Sequence, residues 1–289
     1  MEKINKAIAV YLDNSDKMET EFSWLYKTWI YHDLNREFDL VVYHNPTAEN
    51  RLDKFYGIIK VPMPYIRKAQ EYKFLNSHYF CLPKWRGPLE KYDYLMKTDC
   101  DVFLTHNLKG YVPSKFLVGE GGYCKDLSKK QHQFFVDYSK KLGFNYRNYK
   151  QIGASFYGKT SEVINVVASQ AHITENILEN KENLSNYDLD PGISSMLAGE
   201  LFLNHCFTEQ HMSMWILDSR CWETVKIGSD VLHIHAWHTS QRWSKHDFFK
   251  GKYDDWVVSE SEMYENAANY CNYFSNLTLE QLFLKKLNG

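Results

Sequence analysis

Tyr92–Thr105 reads YDYLMKTDCDVFLT, and the fold turns on how this stretch is read. Tyr94, Leu95 and Met96 precede an Asp-x-Asp pair, Asp99 and Asp101, and Val102, Phe103 and Leu104 follow it. A short apolar run of this kind suits a strand buried on both faces, as parallel strands are. Two carboxylates at the end of such a strand cost free energy unless something pairs with them. A divalent cation does so, and hard oxygen ligands suit Mg²⁺ or Mn²⁺. Taken alone, Asp-x-Asp is a common tripeptide of solvated turns. The apolar run before it and the alternating pattern upstream give it weight here.

Toward the N-terminus, Ala7–Leu12 (AIAVYL) reads as a first strand. It ends in Asp13-Asn14-Ser15-Asp16, which is turn and helix-capping chemistry. From Met18 to Leu34 the apolar residues Phe22, Leu25, Trp29 and Ile30 fall at helical spacing. Asp39–His44 is a second strand, closed by Asn45-Pro46, and Gly57–Val61 a third, closed by Pro62 and Pro64. Tyr65–Leu82 reads as one helix carrying Arg67, Lys68 and Lys73. Alternation of strand and helix predicts an α/β fold, a mostly parallel sheet with helices on both faces. Ligands of such sheets bind at the carboxyl ends of the strands. Asp13, Asp99 and Asp101 all fall there, so one cleft can collect them.

Toward the C-terminus the rhythm loosens. A strand is expected near Phe116–Gly119, a polar helix over Leu127–Leu142 and a buried strand over Gln151–Gly158 (QIGASFYG). Gly153, Ala154 and Ser155 in that strand admit either a closely approaching ligand or tight packing. Ser161–Leu178 is helical and Glu179–Tyr187 a polar loop. Asp188-Leu-Asp190-Pro191-Gly192 then opens a helix through Met196, Leu197, Leu201 and Phe202, with Asp190 as N-cap and Pro191 in the first turn. His233, His235 and His238 lie close together in VLHIHAWH; on a strand His233 and His235 share a face and His238 does not. Each is a candidate metal ligand, though a histidine taken singly is more often a hydrogen-bonded core residue, here beside Trp237. Glu260–Leu287 reads as an amphipathic helical tail.

The 289 residues, 44% hydrophobic and 24% charged, suffice for a large core, and with neither repeat nor linker they read as one domain. A net charge of −2 argues against a general nucleic-acid or anionic-membrane binder. The six cysteines form no C-x-x-C pair, which argues against a zinc ribbon or a thioredoxin-like site and suits reduced thiols. The opening MEKINKAIAVYLD carries too little apolar length for a signal peptide or a membrane span, so a cytoplasmic location is expected. On the same ground the acceptor-like Asn183-Leu-Ser and Asn276-Leu-Thr triplets are read as chance.

The order strand–helix–strand–helix, then an apolar run into Asp-x-Asp, then a histidine-rich strand, resembles GT-A-fold, nucleotide-sugar-dependent glycosyltransferases. LMKTDCDVFLT is similar to their metal-binding motif. VLHIHAWHTSQRW resembles the H-F-x-G-x-x-K-P-W segment of glycogenin-like family 8 enzymes when His233 is matched to the family's ligand histidine; Ala236 then stands where that family has Gly, and Lys-Pro-Trp is missing. The T-D-x-D-x-F-L-T and A-W-H-T segments are also similar to uncharacterised Asp-x-Asp proteins of algae, fungi and large DNA viruses.

The resemblance implies a GT-A-type, Rossmann-like mixed sheet in a single domain over residues 1–289. Residues 6–105 would bind nucleotide, 106–250 would hold acceptor and the metal histidine, and 251–289 would be a helical tail. It implies transfer of a sugar from a nucleotide-diphosphate donor, a UDP-sugar being favoured, to a glycan or other hydroxyl acceptor, with Mn²⁺ or Mg²⁺. Tyr11, Leu12 and Asp13 would face base and ribose. Asp99 would contact ribose or metal, and Asp101 would ligate the metal with His233 or His235. Lys73, and after it Arg67, would meet sugar or phosphate, while Arg242 and Lys245 would neutralise the departing diphosphate. Asp190, ahead of Asp188, is the candidate acid–base residue. Two other classes compete. A nucleotidyltransferase would place a Gly-rich basic loop after the first strand, where DNSDKMET has no glycine. A carbohydrate-binding protein of the same fold would lack turnover.

Overall fold

Seven successive buried residues, Lys6–Leu12, form β1 at the centre of the main sheet in the computed structural model. The structure describes residues 4–122, 124, 126–147, 152–208, 212–213, 216–228, 230–237 and 242–288. β1 pairs in parallel with β2 (Phe38–His44) on one side and β4 (Tyr94–Lys97) on the other, and β3 (Ile59–Pro62) continues the sheet beyond β2. Past β4 the direction reverses. β7 (Ile152–Lys159) runs antiparallel to β4, and β6 (Phe116–Glu120) antiparallel to β7; short β8 (Met212–Ser213) lies parallel to β6. The order is β3-β2-β1-β4-β7-β6-β8, a mixed and mostly parallel sheet. Because β4 and β7 are neighbours, the two expected halves share one sheet and make a single α/β domain.

Alternation along the strands sends side chains to opposite faces, and each face carries its own core. On one, Ile8, Val10, Leu40 and Val42 meet Phe22, Leu25, Tyr26 and Trp29 of α1 (Asp16–Tyr31). Ser15 caps α1 by accepting from the Met18 N–H, and Asp16 and Glu19 suit its positive end. On the other face, Ala7, Ala9, Tyr11, Val41 and Tyr43 join the turn α2 (Asn76–Tyr79), α3 (Lys129–Leu142) and α4 (Thr160–Glu179). The single turn α5 (Glu182–Ser185) and α6 (Ser194–Cys206) complete that layer.

A second, three-stranded sheet stands beside the first. β10 (His233–His235) runs antiparallel to β5 (Val102–Leu104) and parallel to β9 (Ser219–Arg220). Its apolar side, with Phe103 and Ile234, packs on Trp24, Trp243, Tyr270 and Phe274. The turn α7 (Lys245–Phe248) and helices α8 (Ala267–Asn276) and α9 (Leu279–Asn288) close this region.

Three expectations are corrected. The apolar run is not one strand: β4 ends at Lys97, the chain bends through Asp99–Asp101 at its carboxyl end, and β5 departs into the other sheet. Tyr65–Leu82 is not one helix but two 3-10 turns, Arg67–Gln70 and Lys73–Leu75, followed by α2. The break between the two turns falls at Tyr72, whose hydroxyl donates to Gly192 O at 2.8 Å, and Arg67 at the start of the first turn takes a left-handed φ of 48°. The C-terminal segment is not one tail helix. It divides at Leu277, where Lys27 of α1 donates to the carbonyls of Ser275 (3.2 Å) and Leu277 (2.8 Å).

Candidate metal centre

The bend after β4 lies at the carboxyl end of the parallel strands. Cys100 Sγ donates to Tyr11 O at 3.1 Å, and the Ala236 N–H donates to Asp101 O at 2.9 Å, so the bend is tied both to β1 and to the residue following β10. Antiparallel pairing sets His235 opposite Val102, one residue from Asp101. His235 Nε2 stands 3.2 Å from Asp101 Oδ2, and one donor atom each from Asp99, Asp101 and His235 lie within 4.8 Å of one another. Donors around one octahedral ion are roughly 3–4 Å apart, so small side-chain movements would gather these three on a cation. Two carboxylates with one imidazole suit Mn²⁺, and Mg²⁺ less closely. The donor set therefore fits a metal ion.

Charges around the group are arranged in pairs. Lys245, first residue of α7, holds its ammonium against Asp101 and 3.7 Å from Glu21 of α1. Burial opposes the Asp101 charge, yet Lys245 and His235 hold its carboxyl well below the usual range. Glu21 is pushed up to about 7 by burial and by the neighbouring Asp101. Lys97, fully buried, donates to Ala154 O at 2.9 Å and Asp99 Oδ1 at 3.3 Å.

Behind His235 is a residue the sequence did not single out. Asp218 Oδ1 stands 3.4 Å from His235 Nδ1 and accepts the Ser155 hydroxyl at 2.6 Å, while Oδ2 accepts the Ser155 N–H at 2.8 Å. Burial would raise its carboxyl, but the nearness of His235, the charge of both histidines and the bonds from Ser155 bring it down to about 2. A Cβ on Gly119 would sit 1.8 Å from Asp218 Oδ2, and one on Gly153 would sit 2.4 Å from it. The small residues of β7 thus make room for a carboxylate of the chain itself, which decides between the two readings left open for Gly153–Ser155.

His233 shares a strand face with His235, and both reach Asp218. His233 is fully buried; its Nδ1 accepts the Asp218 N–H at 3.3 Å and its Nε2 lies 3.8 Å from Asp218 Oδ1. It is not one of the three grouped donors, and burial takes it down to about 4. The resemblance matched His233 to the family's ligand histidine, whereas the group formed with Asp99 and Asp101 contains His235, which the strand register sets opposite Val102. His238 lies outside the described residues.

Other expected site residues divide between the cleft and the surface around it. At the end of β1, Asp13 lies 3.9 Å from Lys73 and near enough to the Tyr65 hydroxyl to add to the rise that burial causes in it. The buried Tyr11 hydroxyl accepts from Asn76 at 2.9 Å. Leu12 is fully buried, and its carbonyl already accepts the Asn45 N–H at 3.0 Å, so its side chain belongs to the core. Arg67, at φ 48°, turns to Glu175 (3.5 Å). Arg242 lies over Trp256 and pairs with Glu223 (2.9 Å), whereas Lys245 reaches the acidic group. Asp188 pairs with Lys130 at 2.9 Å. Asp190 accepts the Gly192 N–H at 2.7 Å in the N-cap role expected of it, and the Tyr72–Gly192 bond ties its turn to the segment bearing Lys73.

A family model described as a domain of unknown function, DUF7164, matches residues 1–288, almost the entire chain. The chain belongs to the DUF7164 family. Comparison with curated proteins gave no match. In this DUF7164 chain a cavity of about 730 Å³ lies between the start of β4 and the start of α4, lined by Arg86, Tyr94 and Lys159 among others, and holds no member of the acid–histidine group. Among the described residues no helix is long and apolar enough to cross a membrane.

Proposed function

We propose that this chain is a metal-dependent glycosyltransferase that takes a sugar from a nucleotide diphosphate, a UDP-sugar being favoured, to a hydroxyl acceptor such as a glycan. The observation that carries the reading is the convergence of Asp99, Asp101 and His235 at the carboxyl end of a mostly parallel sheet. Asp101, Asp99 and His235 would hold the ion, which when bound neutralises diphosphate oxygens. Lys245, already in the group, supplies a second positive charge for the phosphate that leaves as the anomeric C–O bond breaks. Asp13, Lys73, Tyr65 and Tyr11 line the end of β1 where nucleoside and sugar would lie. Asp190 takes the proton of the attacking hydroxyl in this scheme, in preference to Asp188, which is engaged by Lys130. A nucleotidyltransferase is disfavoured by the first turn of α1: it is acidic, and Arg51 is committed to Asp16 (2.5 Å) and Glu19 (2.7 Å) rather than open to phosphate.

A thermal-shift panel of UDP-, GDP- and CMP-sugars with and without Mn²⁺ tests the reading. Stabilisation by a UDP-sugar is expected only with Mn²⁺, and Asp101→Ala should abolish it while leaving the protein folded. A panel without any shift, or a shift indifferent to Mn²⁺ and to Asp101→Ala, would sink the proposal. Binding without transfer or hydrolysis would leave a carbohydrate-binding protein instead.

A further inference from the structure

We propose that Asp218 is the positioning residue of the metal centre: it accepts the Nδ1 proton of His235 and so fixes the tautomer and ring rotation that turn Nε2 toward Asp101 and Asp99. The inference rests on reading those three residues as a metal site. Its starting point is the cost of Asp218 itself. A carboxylate with no exposed surface is expensive, and its backbone adopts a left-handed φ of 53° that non-glycine residues seldom take. Two strands give up side chains to admit it, since neither Gly119 nor Gly153 has room for a Cβ. Ser155 then donates twice, and the Asp218 N–H is itself held by His233 Nδ1.

Such an arrangement secures one thing an apolar side chain in the same space would not, a fixed acceptor facing His235 Nδ1. The other ring nitrogen faces Asp101 Oδ2 at 3.2 Å, on the side where Asp99 completes the donor group. With the proton on Nδ1, the Nε2 lone pair is available to a cation. Histidines that bind metals generally donate their second N–H to a carboxylate, carbonyl or water, and loss of that partner weakens metal binding about ten- to a hundred-fold.

The test is Mn²⁺ titration of the full chain, followed by the EPR signal of free Mn²⁺, for wild type, Asp101→Ala, His235→Ala and Asp218→Asn. Asparagine keeps the size of the side chain and tolerates left-handed φ, and thermal unfolding checks that the variant is folded. Asp218→Asn should weaken Mn²⁺ binding about ten- to a hundred-fold. In the Mg²⁺-loaded wild type the His235 Nδ1 proton should give a downfield NMR resonance, identified by its loss in His235→Ala, and Asp218→Asn should lose it too. Should Asp218→Asn not fold, Ser155→Ala carries the same test, because it removes the hydroxyl donor to Asp218; a smaller loss of affinity and a shifted resonance are then expected. Unchanged Mn²⁺ affinity in the folded variant overturns the proposal, as does weaker binding with the resonance intact. A wild type that binds no Mn²⁺, or an Asp101→Ala variant that binds it normally, instead brings down the metal reading and this inference with it.

Discussion

His233 and His235 stand two positions apart and reach the same carboxylate, yet only His235 turns a nitrogen toward Asp101. His235→Ala should therefore weaken Mn²⁺ binding far more than His233→Ala. The second substitution should act on stability: it empties a fully buried site and strips the Asp218 N–H of its acceptor, a loss of about 2–4 kcal/mol in urea unfolding. The reverse ranking would show that the ring facing Asp101 is not the ligand. Part of this was legible. Counting H-F-x-G-x-x-K-P-W from His235 rather than His233 ends the segment on Trp243, a buried residue that stacks edge-on against Phe103 of β5. If His235 is the ligand proposed above, the closing tryptophan is a better guide to register than the glycine position. Asp218 carried no such sign. It sits in a segment without a motif, and Gly119, Gly153 and Ser155 explain it only once β6, β7 and β9 are brought together.

Elements whose ends are written in local chemistry were readable. Ser128 and Gln131 form a capping box at the start of α3, whereas Thr278 and Gln281, which exchange bonds of 2.9 and 3.1 Å at the start of α9, lay inside a segment read as one helix and were missed. The 65–82 segment was not readable: its apolar spacing suits a helix, but it folds as two 3-10 turns and a short helix and is joined at Tyr72 to a turn far along the chain. That same turn carries the next prediction. Asp190→Asn preserves the cap on Gly192, so unfolding free energy should move by less than ~0.5 kcal/mol. It removes the ability to accept a proton, so turnover should fall about a hundred- to ten-thousand-fold with donor affinity nearly unchanged. Asp188→Asn breaks only an exposed pair with Lys130 and should leave turnover intact. Normal turnover in Asp190→Asn, or a product that retains the donor's anomeric configuration, would remove Asp190 from the role of base. Gly153→Ala offers a check on the strands themselves. The added methyl must displace Asp218 Oδ2 or the Glu120 carbonyl 2.9 Å away, and a loss of about 1–3 kcal/mol is expected.

At the scale of the whole molecule, the C-terminal helices act as a clamp beneath the sheet that sets the site. Tyr270 of α8 donates its hydroxyl proton to Leu104 O of β5 at 2.6 Å, so His32, following α1, must donate its Nε2 proton to the same hydroxyl oxygen at 2.5 Å. One chain of bonds thus joins α1, α8 and β5, the strand that leaves Asp101. It also makes the clamp sensitive to acid. Burial brings His32 down to about 3, against an ordinary value near 6.5. Between these values the unfolded chain binds a proton that the folded chain does not. The contribution of His32 is therefore complete above about pH 6.5 and is lost as pH falls from there toward 3, at up to about 1.4 kcal/mol per pH unit. Other groups titrate over the same range, so the decisive quantity is a difference between proteins. His32→Gln retains a side-chain N–H donor for Tyr270 but cannot take a proton. Urea unfolding at pH 7.5 and 5.5 should show wild type losing about 1.4 kcal/mol more than the variant across that step. An equal loss in both proteins would mean that the imidazole titrates normally in the fold and that acid does not act on the clamp through His32.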